Sequence, residues 1–191
     1  MASHSPLIMV FLGPPGAGKG TQAEMLVQRL KIPHVSTGGL FRQAIEEGAP
    51  VGMEVRDYVE SGRLVPDNLV MQLVESLVAG QRNSGICFDG FPRTLAQAEA
   101  LDGVLASYAA RVHVVLVLDL PDEVALGRLM SRGRDDDDYA TARYRLEVYQ
   151  TTTAPLIQYY TERGLVARVD GDADIDTVAQ RIGDALEAIP A

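Results

Sequence analysis

Of 191 residues, one is cysteine and two are lysine. A lone Cys87 excludes an internal disulfide and a thiolate zinc cage. Long apolar runs are missing as well: the longest aliphatic stretch, Val114 to Leu118, falls far short of the ~20 residues a bilayer-crossing helix needs. The sequence opens Met1-Ala2-Ser3-His4-Ser5-Pro6, without the basic and then apolar pattern of a secretory signal, so a cytoplasmic protein is expected. Positive charge is scarce, since 17 Lys+Arg face 26 Asp+Glu for a formal charge of -9. That balance excludes a general basic footprint for nucleic acid or an anionic membrane surface, so no nucleic-acid or membrane partner is expected and any phosphate must be met locally. His4, His34 and His113 are scattered and form no metal set, and no Ser-His-Asp or Cys-His site suggests itself.

What is present is ordinary globular usage, with 47% hydrophobic residues, 23% charged residues and a mean hydropathy of +0.03. At this length one domain is expected. Leu7 to Leu12 is an apolar run ending in a Gly/Pro cluster, which reads as a buried parallel strand and a turn. Ala23, Leu26, Val27 and Leu30 then share one helical face, which predicts a helix from about Gly18 to Leu30. Further strands are expected at His34-Val35, Ile86 to Phe88, Val112 to Leu118 and Leu165 to Val169. Buried strands alternating with amphipathic segments define an α/β domain, a central parallel sheet with helices on both faces. Residues 36–80, mostly helical, and the polar stretch Gly133 to Ala140, with four consecutive aspartates, read as insertions. Insertions at the carboxyl ends of parallel strands are where open α/β sheets bind ligands.

Between the first strand and the first helix lies Gly13-Pro14-Pro15-Gly16-Ala17-Gly18-Lys19-Gly20-Thr21, which fits the phosphate-loop spacing G-x-x-x-x-G-K in the context that motif requires. Glycines let backbone N–H groups turn inward around phosphate oxygens, the helix start adds its dipole, and Lys19 supplies a point charge. The residue after Lys19 is Gly20, where many such loops carry a magnesium-binding hydroxyl; Thr21 comes one later. Asp89, at the end of an apolar run, is a carboxylate suited to Mg2+, held directly or through water.

Gly13 to Thr21, Ser36-Thr37-Gly38, Asp89-Gly90-Phe91-Pro92-Arg93 and Thr153-Ala154-Pro155-Leu156-Ile157 together resemble adenylate kinases, in order and across nearly the whole chain. The resemblance implies a five-stranded parallel sheet of the P-loop NTPase fold with a helical monophosphate-binding segment at about 36–65 and a short lid at about 133–139. It implies reversible Mg2+-dependent transfer of the terminal phosphoryl group of ATP to AMP, giving two ADP, by a monomer. The ATP side falls on Gly16, Ala17, Gly18, Lys19, Gly20, Thr21, Arg128, Arg132 and Ala173, the last standing where the family has a glycine. The AMP side falls on Thr37, Gly38, Arg42, Arg63, Leu64, Val65, Gly90, Phe91, Pro92, Arg93 and Gln97, with Thr37 and Gln97 as adenine readers. Arg134 and Arg145 would touch the transferring group. Lys19, Arg93, Arg132, Arg134 and Arg145 are the expected catalytic set, since phosphoryl transfer asks mainly for positioning and charge stabilisation.

The family's acidic pair after the arginine is best matched to Asp136 and Asp137; the other reading of that run is a solvated loop. Gly39 stands where the family usually has an acidic residue. Only Gly133 separates Arg132 from Arg134, so the lid is short and the zinc-carrying lid of some members is absent. The tyrosines from Tyr139 to Tyr160 are expected to pack. Two alternatives remain at this point: a UMP/CMP kinase of the same family, and a nucleotide-binding switch that transfers nothing.

Overall fold

The computed structural model describes residues 6–81, 84–133 and 138–188. The elements run β1 (Ile8–Leu12), α1 (Lys19–Leu30), β2 (His34–Ser36), α2 (Thr37–Glu46), α3 (Pro50–Glu60), α4 (Asp67–Gln81), β3 (Ile86–Asp89), α5 (Leu95–Ser107), β4 (Val114–Asp119), α6 (Asp122–Arg132), α7 (Tyr139–Val148), a π-helical turn Tyr149–Thr153, α8 (Pro155–Thr161), β5 (Val166–Asp170) and α9 (Ile175–Glu187). The five strands form one sheet in the order β2-β3-β1-β4-β5, and every pairing is parallel. Among the described residues each expected strand is present, with ends moved by one or two positions.

β1 is buried at all five positions, because a parallel sheet covered on both faces leaves no room for the polar alternation of a one-sided strand. Its side chains split by parity. Ile8, Val10 and Leu12 join Phe88, Val115, Leu101 and Tyr160 on one face, and Met9 and Phe11 join Cys87, Leu116, Leu26 and Ile182 on the other. Helices α4, α5 and α8 cover the first face; α1 and α9 cover the second. Cys87 is fully buried, and that burial pushes its thiol up to about 12, so it is an inert apolar side chain.

The register puts the carboxyl ends of β1, β2 and β3 side by side, with Phe11 opposite Asp89 and Ser36 opposite Asp89. The loops that leave those ends therefore share one edge of the sheet, where ligand sites form in open parallel sheets. α2 begins directly at that edge, its first turn capped by the Ser36 hydroxyl accepting from the Gly39 N–H. The tyrosines divide: Tyr160 is buried and Tyr159 packs edge-on against it, whereas Tyr139 and Tyr144, expected to pack, are 55% and 42% exposed. α7 meets its neighbours through Ala142 and Leu146 instead, which turns both rings outward.

Candidate active site

A cleft of about 700 Å³ opens at this edge, and it is lined from the β1 loop, the start of α2, the segment 59–65, the β3 loop, α6, α7 and the π-helical turn. A second cavity of about 220 Å³ adjoins it between the β1 loop, Arg128 and the segment 171–178.

The β1 loop owes its shape to backbone geometry. Gly16 has φ of 88°, and a Cβ there would stand 2.6 Å from the Ala125 carbonyl oxygen, so only glycine can occupy the position. α1 begins at Lys19 with Gly18 as its N-cap residue, so it has no side-chain cap, and it has no acidic residue in its first turn. Its leading N–H groups and positive dipole end are thus directed at the cleft, the arrangement that binds phosphate. Lys19 Nζ donates to the carbonyls of Gly13 and Pro14, both at 2.8 Å. Burial under the loop lowers its pKa to about 8, although Asp89 pulls the other way. Gly20 has its own explanation: a Cβ there would lie 3.3 Å from Asp89 Oδ2, so a larger residue after Lys19 would crowd the β3 carboxylate. Thr21 lines both cavities.

Asp89 ends β3 and is buried. Burial resists its ionisation, but His34, Lys19 and Arg93 outweigh it and hold the carboxyl below its usual range. His34 Nε2 stands 3.7 Å from Asp89 Oδ2, beyond the reach of a normal hydrogen bond. No group of three or more His, Cys, Asp or Glu that could hold a metal occurs among the described residues. One ionised carboxylate and the Thr21 hydroxyl, both hard oxygens, fit a Mg2+ ion that keeps most of its ligands from water and phosphate.

Across from the loop, two guanidinium groups converge. A Cβ on Gly38 would stand 3.4 Å from Arg42 Nη1 and 3.6 Å from Arg93 Nη2, so the bare glycine lets both arginines face one spot. Two forked donors in that arrangement suit a phosphate. Arg93 is fixed along its backbone and its side chain. Its N–H donates to Gln97 Oε1 at 2.8 Å, its carbonyl accepts from the Thr153 hydroxyl at 3.0 Å, and its Nε donates to the Gly90 carbonyl at 2.8 Å. Thr37 is buried and donates its hydroxyl to the Gly90 carbonyl, tying the start of α2 to the β3 loop.

The remaining candidates divide. Leu64, Val65, Gly90, Pro92, Gln97 and Arg132 line the large cleft. Arg145 lines it too, and its Nη2 donates to the Val59 carbonyl, which joins α7 to the end of α3. Arg63 reaches the cleft wall, with its guanidinium over the Tyr58 ring and its Nε on the Ser61 hydroxyl. Arg128 donates to the carbonyls of Gly171 and Ala173, bracing the wall of the second cavity that Ala17 and Ala173 also line. Phe91 is the exception: it is withdrawn into the core against Phe88 and does not line the cleft. Arg134, Asp136 and Asp137 lie outside the described residues.

Three residues of the site gave no signal strong enough to be named from sequence. His34 was visible only as a scattered histidine. Thr153 sat in a motif without a role, and it is the π-helical turn, a local irregularity often found at functional sites, that brings its hydroxyl to Arg93. Asp67 opens α4 and reaches Gln97 and Thr94 from 30 and 27 positions away.

A phosphate-binding loop on a parallel sheet, facing a second cationic subsite across a buried carboxylate, defines a P-loop nucleotide-binding protein with room for two phosphorylated groups. The comparisons with known proteins are narrower. A model of the adenylate kinase family matches residues 11–165. Adenylate kinase 1 of Nostoc sp. is 46% identical over 175 residues, covering 91% of this chain and 95% of the relative. The adenylate kinase of Thermus thermophilus is 46% identical over 182 residues, 93% of this chain and 96% of its own length, and that of Moorella thermoacetica is 43% identical over 210 residues, 93% and 97%. The chain belongs to the adenylate kinase family.

Proposed function

We propose that this protein transfers the terminal phosphoryl group of MgATP to AMP and, in reverse, forms ATP and AMP from two ADP. The observation that carries the reading is the single cleft in which Lys19 and the uncapped start of α1 face the Arg42 and Arg93 pair, with Asp89 between them. ATP phosphates take the β1 loop, and the α-phosphate of AMP takes the two arginines. The bond from the γ-phosphorus to its bridging oxygen breaks as one forms to an AMP phosphate oxygen, so negative charge moves from one cationic group towards the other. Fixed cations that meet this charge stabilise the transition state. Arg132 and Arg145 serve it from the α6 and α7 side, and Arg134 with them.

The residues that would hold Mg2+ are Asp89, through water, and Thr21; the ion, when bound, neutralises phosphate charge during transfer. Thr37 and Gln97 face the base, with the Val65 backbone. Arg128 and Ala173 frame the second cavity for the adenosine of ATP. Residues of about 36–65 form the monophosphate-binding segment, and a short lid at about 133–139 closes over the phosphates and excludes water. The net charge of -9 supports mononucleotides over nucleic acid as ligands. A single buried cysteine supports a cytoplasmic setting, and we take the working unit to be a monomer.

The test is to give purified protein MgATP with AMP, UMP, CMP, GMP or no acceptor and to follow ADP. Fast ADP formation with AMP alone is expected. Preference for UMP or CMP would overturn the base assignment, and turnover with none of them would overturn transfer itself.

A further inference from the structure

Gln97 is 98% buried (2% exposed) on α5 and lines the cleft, and both ends of its amide are already engaged. Its Oε1 accepts from the Arg93 N–H at 2.8 Å, and its Nε2 donates to Asp67 Oδ1 at 2.6 Å. A backbone N–H can only donate and an ionised carboxylate can only accept, so the two neighbours dictate which end of the amide is oxygen and which is nitrogen. Asp67 is itself fixed. Its other oxygen, Oδ2, accepts from the Thr94 hydroxyl at 3.1 Å, and that hydroxyl caps α5 by accepting from the Gln97 N–H at 3.1 Å. After these bonds the amide keeps one N–H and one lone pair. That is the pair of complementary groups needed to read a purine edge with an acceptor ring nitrogen beside an exocyclic amine.

We propose that Asp67 is a specificity-determining positioning residue, which locks the Gln97 amide in the one orientation that accepts a 6-aminopurine monophosphate and rejects its 6-oxo counterpart. The inference rests on the proposed placing of the AMP base at Gln97. A 6-oxopurine carries an acceptor where AMP has the amine and a ring N–H where AMP has the acceptor, so it opposes both groups of the locked amide. Without Asp67 only the Arg93 N–H still holds the amide, through Oε1; Nε2 is left buried without its acceptor, the amide swings about that one remaining bond, and the penalty against the oxo base weakens. Because Gln97 also holds the Arg93 N–H, the same carboxylate links base reading to the arginine beneath the phosphate.

The experiment compares kcat/KM for AMP and for inosine 5′-monophosphate in the wild type, Asp67→Leu, Asp67→Asn and Gln97→Leu, with MgATP saturating. The AMP-to-inosine ratio is expected to fall at least tenfold in Asp67→Leu. It should stay within threefold of wild type in Asp67→Asn, whose amide oxygen can still accept from Nε2. A purely structural loss would lower both substrates together, so an unchanged ratio in Asp67→Leu, or an equal fall in Asp67→Asn, overturns the proposal. Should Asp67→Leu fail to fold, Asp67→Ser, too short to reach Nε2, carries the same expectation and the same refutation. Gln97→Leu separates the two layers: an unchanged ratio there would refute the base placement, whereas a fallen ratio beside an unchanged Asp67→Leu would refute only the role of Asp67.

Discussion

The two sides of the cleft are built by different means. On the β1 side the phosphate-binding geometry comes from consecutive residues, 13–21, whose backbone conformation does the work: Gly16 at positive φ against the Ala125 carbonyl, and α1 starting bare after Gly18. On the opposite side the geometry comes from side chains on separate elements, Arg42 from α2, Arg93 from the β3 loop, Gln97 from α5 and Thr153 from the π-helical turn. A contiguous backbone motif needs only a correct local sequence. A constellation needs every supporting hydrogen bond, and each support is a place where selectivity can be set.

The comparison is sharpened most by removing Lys19, the cation of the β1 loop. Lys19→Ala should lower kcat/KM by about 10³, the size expected when a preorganised charge that meets developing negative charge is lost, with the melting temperature little changed. A loss smaller than tenfold in steady-state assays would show that the α1 start alone carries the donor phosphates.

A second, smaller effect follows from the pKa of Lys19, lowered to about 8 by burial. Below pH 8 the ammonium meets phosphate already charged; above it, binding must first take up a proton, so the apparent affinity for ATP should fall about fivefold from pH 8 to pH 9. Lys19→Arg should flatten that slope, because a guanidinium stays charged throughout. A wild-type slope matching the Lys19→Arg slope would contradict the assignment.

The smallest effect belongs to the other side. Ser36 caps α2 by accepting from Gly39, but position 39, which would return the bond in a capping box, has no side chain. Gly39→Asp should stabilise the protein by about 0.5–1 kcal/mol through the cap, the helix dipole and lower chain entropy. Chemical denaturation would show the shift. Destabilisation would mean that the Ser36 side chain, 3.3 Å from the new Cβ, cannot give way.

The same division explains what could be read from sequence. β1, β3 and β4 were legible because parallel strands buried on both faces are continuous apolar runs, and the β1 loop because its spacing is local. Arg42, Arg93 and Gln97 were reached through resemblance. Asp67 and Thr153 were not assigned roles, since a carboxylate 30 positions from its partner and a hydroxyl delivered by a π-helical turn leave no periodicity or spacing behind. Phe91 lies inside a contiguous functional motif while its side chain is buried in the core.

The central claim is that one cleft holds two phosphate subsites with separate owners. The most direct test is calorimetric titration of Arg93→Ala with AMP and, separately, with MgATP. The account predicts that AMP binding weakens by at least ~30-fold, as for a lost charge-assisted fork, while MgATP binding stays within about threefold of wild type. Equal weakening of both nucleotides, or loss of MgATP binding with AMP retained, would contradict it.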